Sequence, residues 1–403
     1  MQTTLPRLPF TRRGIFDLPE ELRAMQRSGA PAKVLTAAGD EAWLVTRYAD
    51  VRPLLADTRL GRAHPVPDEA PLLSKSALST AGPVGNYASE REDHARYRRR
   101  LTPAFSAKRM KALRGRTEEI LAGILDEMAT LSGPVDLHKT VSMPLSLLVI
   151  CELLGVPYED HDRFQAWFDG ISNMTDFERS TDARQEMSEY MRELAQRKSA
   201  APGEDLISDL VLSGTMDLSP QGPGGVAKLD DLSYVAASLL FAGYRTTAIK
   251  VDQGVVLLLT HDEQRTALYD EPALADGAVE EVLRYSSPDL PLLRYVREDL
   301  EIAGTSIKRG EAVLLSTLAA NRDGSVFPDP EAFDITRNPN PHLSFGHGPR
   351  LCVGATLARV ELAAAFRMLL RRFPGLRLAV PVEKITRRSG VLIGGLSEVP
   401  VRW

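Results

Sequence analysis

Ser344-Phe345-Gly346-His347-Gly348-Pro349-Arg350-Leu351-Cys352-Val353-Gly354 is the stretch from which the chain is best read. It carries one of only two cysteines. Gly346, Gly348 and Pro349 bend the backbone before the thiol, and Gly354 follows it. A long amphipathic pattern then runs from Ala355 to about Phe373. A thiol therefore stands where a constrained loop becomes a helix. Free amides at a helix N-terminus favour negative charge, so the position predicts a lowered thiol pKa. Glycines beside it let a large flat group approach the backbone. The commoner meaning of a lone cysteine is a small buried hydrophobe. Cys151, inside the apolar run Leu145 to Leu154, is read that way.

The 403 residues suffice for a sizeable core, in one large domain or two ordinary ones. Apolar residues at 43% and charged residues at 26% give an ordinary soluble composition. A net charge of −5 does not suggest a nucleic-acid partner. No run approaches the roughly 18–20 apolar residues that span a bilayer, and the first residues lack a signal-peptide apolar core. The expected location is cytoplasmic, without a membrane partner. Two cysteines make no disulfide framework.

Taken in order, the first thirty residues, rich in Arg and Pro, are expected to wrap the surface. Ala42 to Thr46 alternates like a strand, and Arg47 to Arg52 opens a short helix with Asp50 as an early acid. Residues 63–92, with prolines 65, 67, 71 and 83, form a long loop, either a substrate lid or plain surface. In the following helical run, His94 and Arg98 share one face. Two cationic donors there can clamp an anion, although a solvated basic face is the usual meaning. Helical periodicity covers 109–131, 143–154, 160–170 and 178–198. Trp167, Met174 and Phe177 are read as core, with a substrate cavity as the sharper alternative. Residues 201–207 begin a short helix, Gly214 to Gly225 is a loop, and the longest helix runs from Leu229 to about Thr260. Gly243, Thr246 and Thr247 inside it are locally unfavourable, and a threonine bonding back to a carbonyl can open a groove. A helix over 278–285 precedes strands within 300–316, a coil over 321–340, and short strands at 376–380, 391–393 and 399–403.

The spacing Phe-Gly-x-Gly-x-Arg-x-Cys-x-Gly, carried by Phe345, Gly346, Gly348, Arg350, Cys352 and Gly354, resembles the haem-ligand loop of the cytochrome P450 family. Further motifs agree in order and spacing: Ala242-Gly243-x-x-Thr246-Thr247, Glu281-x-x-Arg284 with Arg337, the His94/Arg98 pair, and Arg294. The resemblance covers nearly the whole chain. It implies a mainly α fold with a smaller β part, a long central distal helix, and the cysteine loop on the proximal side. It implies one catalytic domain over residues 1–403 with no fused reductase. Cys352 would be the axial thiolate of haem b (iron protoporphyrin IX), its electron donation favouring O–O cleavage. His94, Arg98, Arg294 and Arg350 would neutralise the propionates, with Phe345, Gly346 and Gly354 shaping the loop. Thr246 would handle oxygen and proton delivery. Ala242, Leu290, Leu293, Leu392 and Ile393 would line the pocket, and Glu281, Arg284 and Arg337 would be structural.

The implied activity is use of dioxygen to hydroxylate or oxidatively couple a medium-sized, largely hydrophobic or aromatic small molecule, in secondary-metabolite tailoring. Electrons would come from a separate ferredoxin and ferredoxin reductase. They would dock on the basic residues Arg96, Arg99, Lys108, Arg109, Lys111, Arg114 and Arg116 of an otherwise acidic monomer. The alternatives are a peroxide-driven peroxygenase and a non-catalytic haem-thiolate binding or sensor protein. One departure stands out. Where the family usually has an acid before the threonine, this chain has Arg245, which cannot shuttle protons. Arg245 pairs with a nearby acid, or anchors a substrate carboxylate or carbonyl, or marks a reaction such as oxidative coupling. Lys250 and Asp252 also stand where apolar residues are common in the family.

Overall fold

The computed structural model describes residues 5–78, 81–213 and 232–403. The loop expected over Gly214 to Gly225, and the start of the long helix at Leu229, lie outside these. The helices are α1 Glu20–Ser28, α2 Tyr48–Ala56, α3 Glu90–Leu101, α4 Ala107–Ala129, α5 Met143–Leu154, α6 His161–Ile171, α7 Phe177–Ala200, α8 Leu206–Leu212, α9 Leu232–Thr260, α10 Asp262–Asp270, α11 Ala275–Tyr285, α12 Thr317–Ala320 and α13 Ala355–Arg372. The strands are β1 Ala32–Leu35, β2 Glu41–Val45, β3 Leu60–Gly61, β4 Val135–Asp136, β5 Leu292–Val296, β6 Leu300–Ile302, β7 Thr305–Ile307, β8 Ala312–Leu315, β9 Arg377–Leu378 and β10 Pro400–Arg402.

Helix α9 is the axis of the molecule. It is apolar on nearly every side, the pattern of a helix with no solvent face, and it packs on α5, α7, α11 and α13. Gly243 permits the close approach of α5. A Cβ there would stand 2.6 Å from Ile150 Cδ1 of α5. Helix α5 ends at Gly155, whose φ of 73° is left-handed and whose N–H returns to the Cys151 carbonyl. Cys151 is core, as its apolar run predicts, and burial pushes its thiol up to about 12.

The larger sheet has the order β1-β2-β8-β5-β3, with β2 and β8 parallel and the other pairs antiparallel. Residues Val313, Leu314 and Leu315 of β8 are fully buried, as befits a central strand. The smaller sheet runs β4-β10-β9, and β6 and β7 form a hairpin turning at Gly304. Near the C-terminus no strand forms at 391–393. Instead Val391 bridges to Asn173, Met174 N–H donates to Gly390 O at 3.1 Å, and Leu392 N–H donates to Ser172 O at 2.8 Å. The segment thus clasps the end of α6. The first thirty residues are also more than a wrapping: α1 forms there, with Leu8, Leu18 and Leu22 buried.

Candidate haem and substrate site

The cysteine loop is built by two left-handed glycines. Gly346 has φ 76° and Gly348 φ 72°. A Cβ on Gly348 would come within 2.7 Å of Ala56 Cβ, so the loop can rest on α2 only with glycine there. The turn brings Cys352 N–H to Phe345 O at 2.8 Å. Cys352 keeps accessible surface on one face of the loop. The lowered thiol pKa expected from its place before a helix is not found. Burial of the sulfur among the surrounding protein pushes it up, and the Gly354 amide, Arg98 and Arg359 only partly offset this.

Cationic side chains gather at the edge of the same face. Helix α3 presents His94 and Arg98, β5 presents Arg294, the cysteine loop presents Arg350, and Arg62 follows β3. Arg98 Nη1 donates to Leu351 O at 2.9 Å, which ties α3 to the loop. Burial, then Arg350 and Arg98, push His94 down to about 4. Burial, then Arg62 and Arg350, lower Arg294 to about 9. One buried carboxylate, Glu90, organises the group. It accepts from the Arg62 and Ala63 amides at 2.6 and 3.1 Å and from Arg297 Nη1 at 3.0 Å, and it pairs with Arg350. Glu90 and Arg62 were not read as site residues. Among first-turn acids of a helix, Glu90 carries no distinguishing mark in sequence. Among the described residues Arg98 and Arg294 bond only to backbone carbonyls, so the donor set fits an anion, and the sulfur of the cysteine loop fits a soft metal. Both are what a haem requires of its protein.

Opposite chemistry is organised on α9. From 232 to 258 only Ser238, Ala242, Gly243, Thr246 and Lys250 are not buried. Four of them recur every fourth residue and make one accessible row on an otherwise buried helix. Thr246 Oγ1 donates to Ala242 O at 2.7 Å. Arg245 points elsewhere. It is 1% exposed, and its Nη1 meets Asp169 of α6 at 3.2 Å, while Arg388 Nη2 meets the same carboxylate oxygen at 2.9 Å. Burial and Arg388 lower the Arg245 pKa, and Asp169 opposes them. Of the three readings of Arg245, the first is the one with a partner in the structure. Asp252 Oδ2 accepts from His138 Nδ1 at 2.7 Å, away from the row. Leu290, Leu293 and Leu392 pack in one apolar cluster with Met174, and Ile393 packs on the main core. Trp167 is core, its Nε1 donating to Glu186 at 2.7 Å, and Phe177 is exposed.

The scaffold residues meet as well. Arg284 and Glu281 form two bonds of 2.7 Å with both side chains fully buried, and Arg337 Nε reaches Glu281 at 3.4 Å. Arg284 also donates to the carbonyls of Asn321, Pro330 and Ala332. Asn340, unread in sequence, adds a bond of 3.0 Å to Glu281.

Comparison with known proteins places these features in company. The family profile described as Cytochrome P450 matches residues 84–393. The chain is 39% identical to pentalenolactone synthase of Streptomyces exfoliatus, covering 99% of each chain. It is 39% identical to mycinamicin IV hydroxylase/epoxidase of Micromonospora griseorubida, covering 94% of each. The structure resembles that of PimD, a pimaricin epoxidase, with TM-score 0.86 and 38% identity over the whole of both chains.

Proposed function

Given that the chain belongs to the cytochrome P450 family and is an oxidoreductase of the monooxygenase type, we propose that it binds haem b through Cys352 and tailors a secondary metabolite by hydroxylation or oxidative coupling. The observation that carries this reading is the exposed Cys352 thiol on a loop tied to Arg98, grouped with Arg294 and Arg350, with an accessible row on α9 to complete the site.

When bound, the haem supplies the reductive activation of dioxygen. The chain's own residues do the rest. Cys352 would hold the haem iron and would lose its proton on ligation. Arg98, Arg294 and Arg350 hold the propionates by charge, and His94, neutral where burial keeps it, adds one N–H. Thr246 presents a hydroxyl on the accessible row and can pass a proton while Ala242 O fixes its orientation. Leu290, Leu293 and Leu392 form an apolar wall that excludes water from a largely hydrophobic substrate. Arg245, held by Asp169, is structural rather than catalytic. We further infer that residues 1–403 act as one catalytic unit, monomeric and cytoplasmic, served by ferredoxin and its reductase. The names of the relatives support a tailoring role, and no helix among the described residues is long and apolar enough to cross a membrane.

The reduced carbon-monoxide complex tests the ligand. A red-shifted thiolate Soret band is expected, and Cys352→His should abolish it. Retention of that band in Cys352→His would overturn the assignment. Turnover with dioxygen, ferredoxin and reductase, against peroxide alone, separates the monooxygenase from a peroxygenase.

A further inference from the structure

Lys250 is the only titratable residue in the accessible row of α9, one turn beyond Thr246. Its ammonium is tied to neutral acceptors. Nζ donates to Gln253 Oε1 at 2.7 Å, to Ser286 Oγ at 3.2 Å and to the Ser286 carbonyl. Among the described residues no carboxylate lies within hydrogen-bond reach of it. Two more cations stand nearby. Arg12 and Arg387 both pair with Asp289, next to Leu290 of the apolar wall. Arg12 also donates to Asp17 O at 3.1 Å and Arg387 to Ile15 O at 2.9 Å. Three cations thus stand near two carboxylates, Asp289 and Asp17, and Lys250 bonds to neither.

That surplus is costly. Burial, then Arg387 and Arg12, lower Lys250 to about 7. Burial lowers Arg12 to about 10, against Asp17, and burial with Arg12 lowers Arg387 to about 10. Buried like charges without counter-charge are disfavoured, and an apolar side chain at position 250 would avoid the cost. Closing the C-terminal end of α11 does not explain the lysine fully. Arg322 Nη2 already donates to the Tyr285 carbonyl there at 2.8 Å. The arrangement lacks an anion, and the accessible row leads from it directly to Thr246.

We propose that this end of the accessible row on α9 is an anion subsite, and that the substrate carries a carboxylate seated against Lys250, with Arg387 and Arg12 supplying longer-range charge. The proposal rests on the haem-thiolate reading and narrows its substrate class to hydrophobic acids. It also sets the orientation. An acid held one turn from Thr246 directs oxidation to a carbon several bonds from the carboxylate, not to its neighbour.

The test uses the haem-loaded protein and matched probes: dodecanoic acid with methyl dodecanoate, and 1-naphthoic acid with its methyl ester. The haem spin-state shift gives each Kd. In the wild type each acid is expected to bind about tenfold or more tighter than its ester. Lys250→Met should erase that preference, and Lys250→Arg should keep most of it. Arg387→Leu, a second variant free of any α11 contact through Lys250, should reduce the preference severalfold. The acid-to-ester ratio cancels any general weakening of the fold, which a merely structural lysine would cause. Equal binding of acid and ester, an acid preference that survives Lys250→Met, or no acid-dependent shift at saturating probe would each overturn the subsite. The carbon-monoxide spectrum of the same samples keeps the two readings apart. Absence of the thiolate band sinks the haem-thiolate reading, whereas a normal band without acid preference sinks only the subsite.

Discussion

Arg245 shows how much a single side chain depends on what lies across from it. Its guanidinium is almost wholly buried, with Nε and Nη2 unpartnered and Nη1 on Asp169. The two halves of that pair should not respond alike to mutation. Arg245→Met removes a desolvated cation and leaves Asp169 with Arg388, so stability should stay within about 1 kcal/mol of wild type. Asp169→Asn leaves two guanidinium groups facing each other without an anion, and should cost about 1–3 kcal/mol. Thermal unfolding of the haem-loaded variants measures both. Product formed per dioxygen consumed should be unchanged in Arg245→Met, and a collapse of that ratio in a well-folded variant would move Arg245 into the chemistry. The sequence reveals Arg245 as out of place, because it breaks a motif. It does not reveal Asp169, Arg388, Glu90 or Arg62, because each acts across a tertiary contact that no local spacing encodes.

At the scale of elements, α11 is a peg holding several parts together. Glu281 and Arg284 fasten it to the coil ahead of the cysteine loop. Glu281→Ala would strand a fully buried guanidinium and should cost about 3–5 kcal/mol, read by chemical denaturation, with haem retention falling in parallel. The neighbouring Glu280 binds Arg359 of α13 at 2.6 and 2.9 Å and His342 at 3.0 Å. Burial alone would raise its pKa, but the bonds from Arg359 and His342 outweigh burial and hold it at about 2, against an ordinary 4.5. A depressed folded value means stability that is fully present above about 4.5 and lost as pH falls toward 2. Wild-type protein should therefore lose more stability between those pH values than Arg359→Met, in acid titrations followed by circular dichroism. The long elements were legible because many turns repeat one pattern: α4, α5, α7 and α13 lie within a few residues of their expected bounds, and α9 ends at the expected Thr260. Strands such as β1, β3 and β5 were not, since two to five residues offer too few alternations, and β5 is set by its ladder to β8.

For the molecule as a whole, charge is distributed against its net sign. The chain carries −5 overall, yet Lys108, Lys111 and Arg114 stand exposed on α4, and Arg99 on α3, the helix that reaches the cysteine loop. Acids collect instead in a groove of about 750 Å³ between α6 and α7, where Asp176, Glu178, Asp182, Glu186 and Glu193 line the wall. Electron transfer from an acidic ferredoxin should slow as salt rises, since exposed charges are screened beyond about 10 Å at 0.1 M. Arg99→Glu with Lys111→Glu should cut the low-salt rate about tenfold while leaving probe binding unchanged, as stopped-flow reduction would show. The clasp between residues 390–392 and the end of α6 has a broader consequence. The backbone that closes over α6 also carries Leu392 into the apolar wall. A substitution at residues 390–392 is therefore felt both by the packing of Leu392 and by the backbone bonds that hold the end of α6.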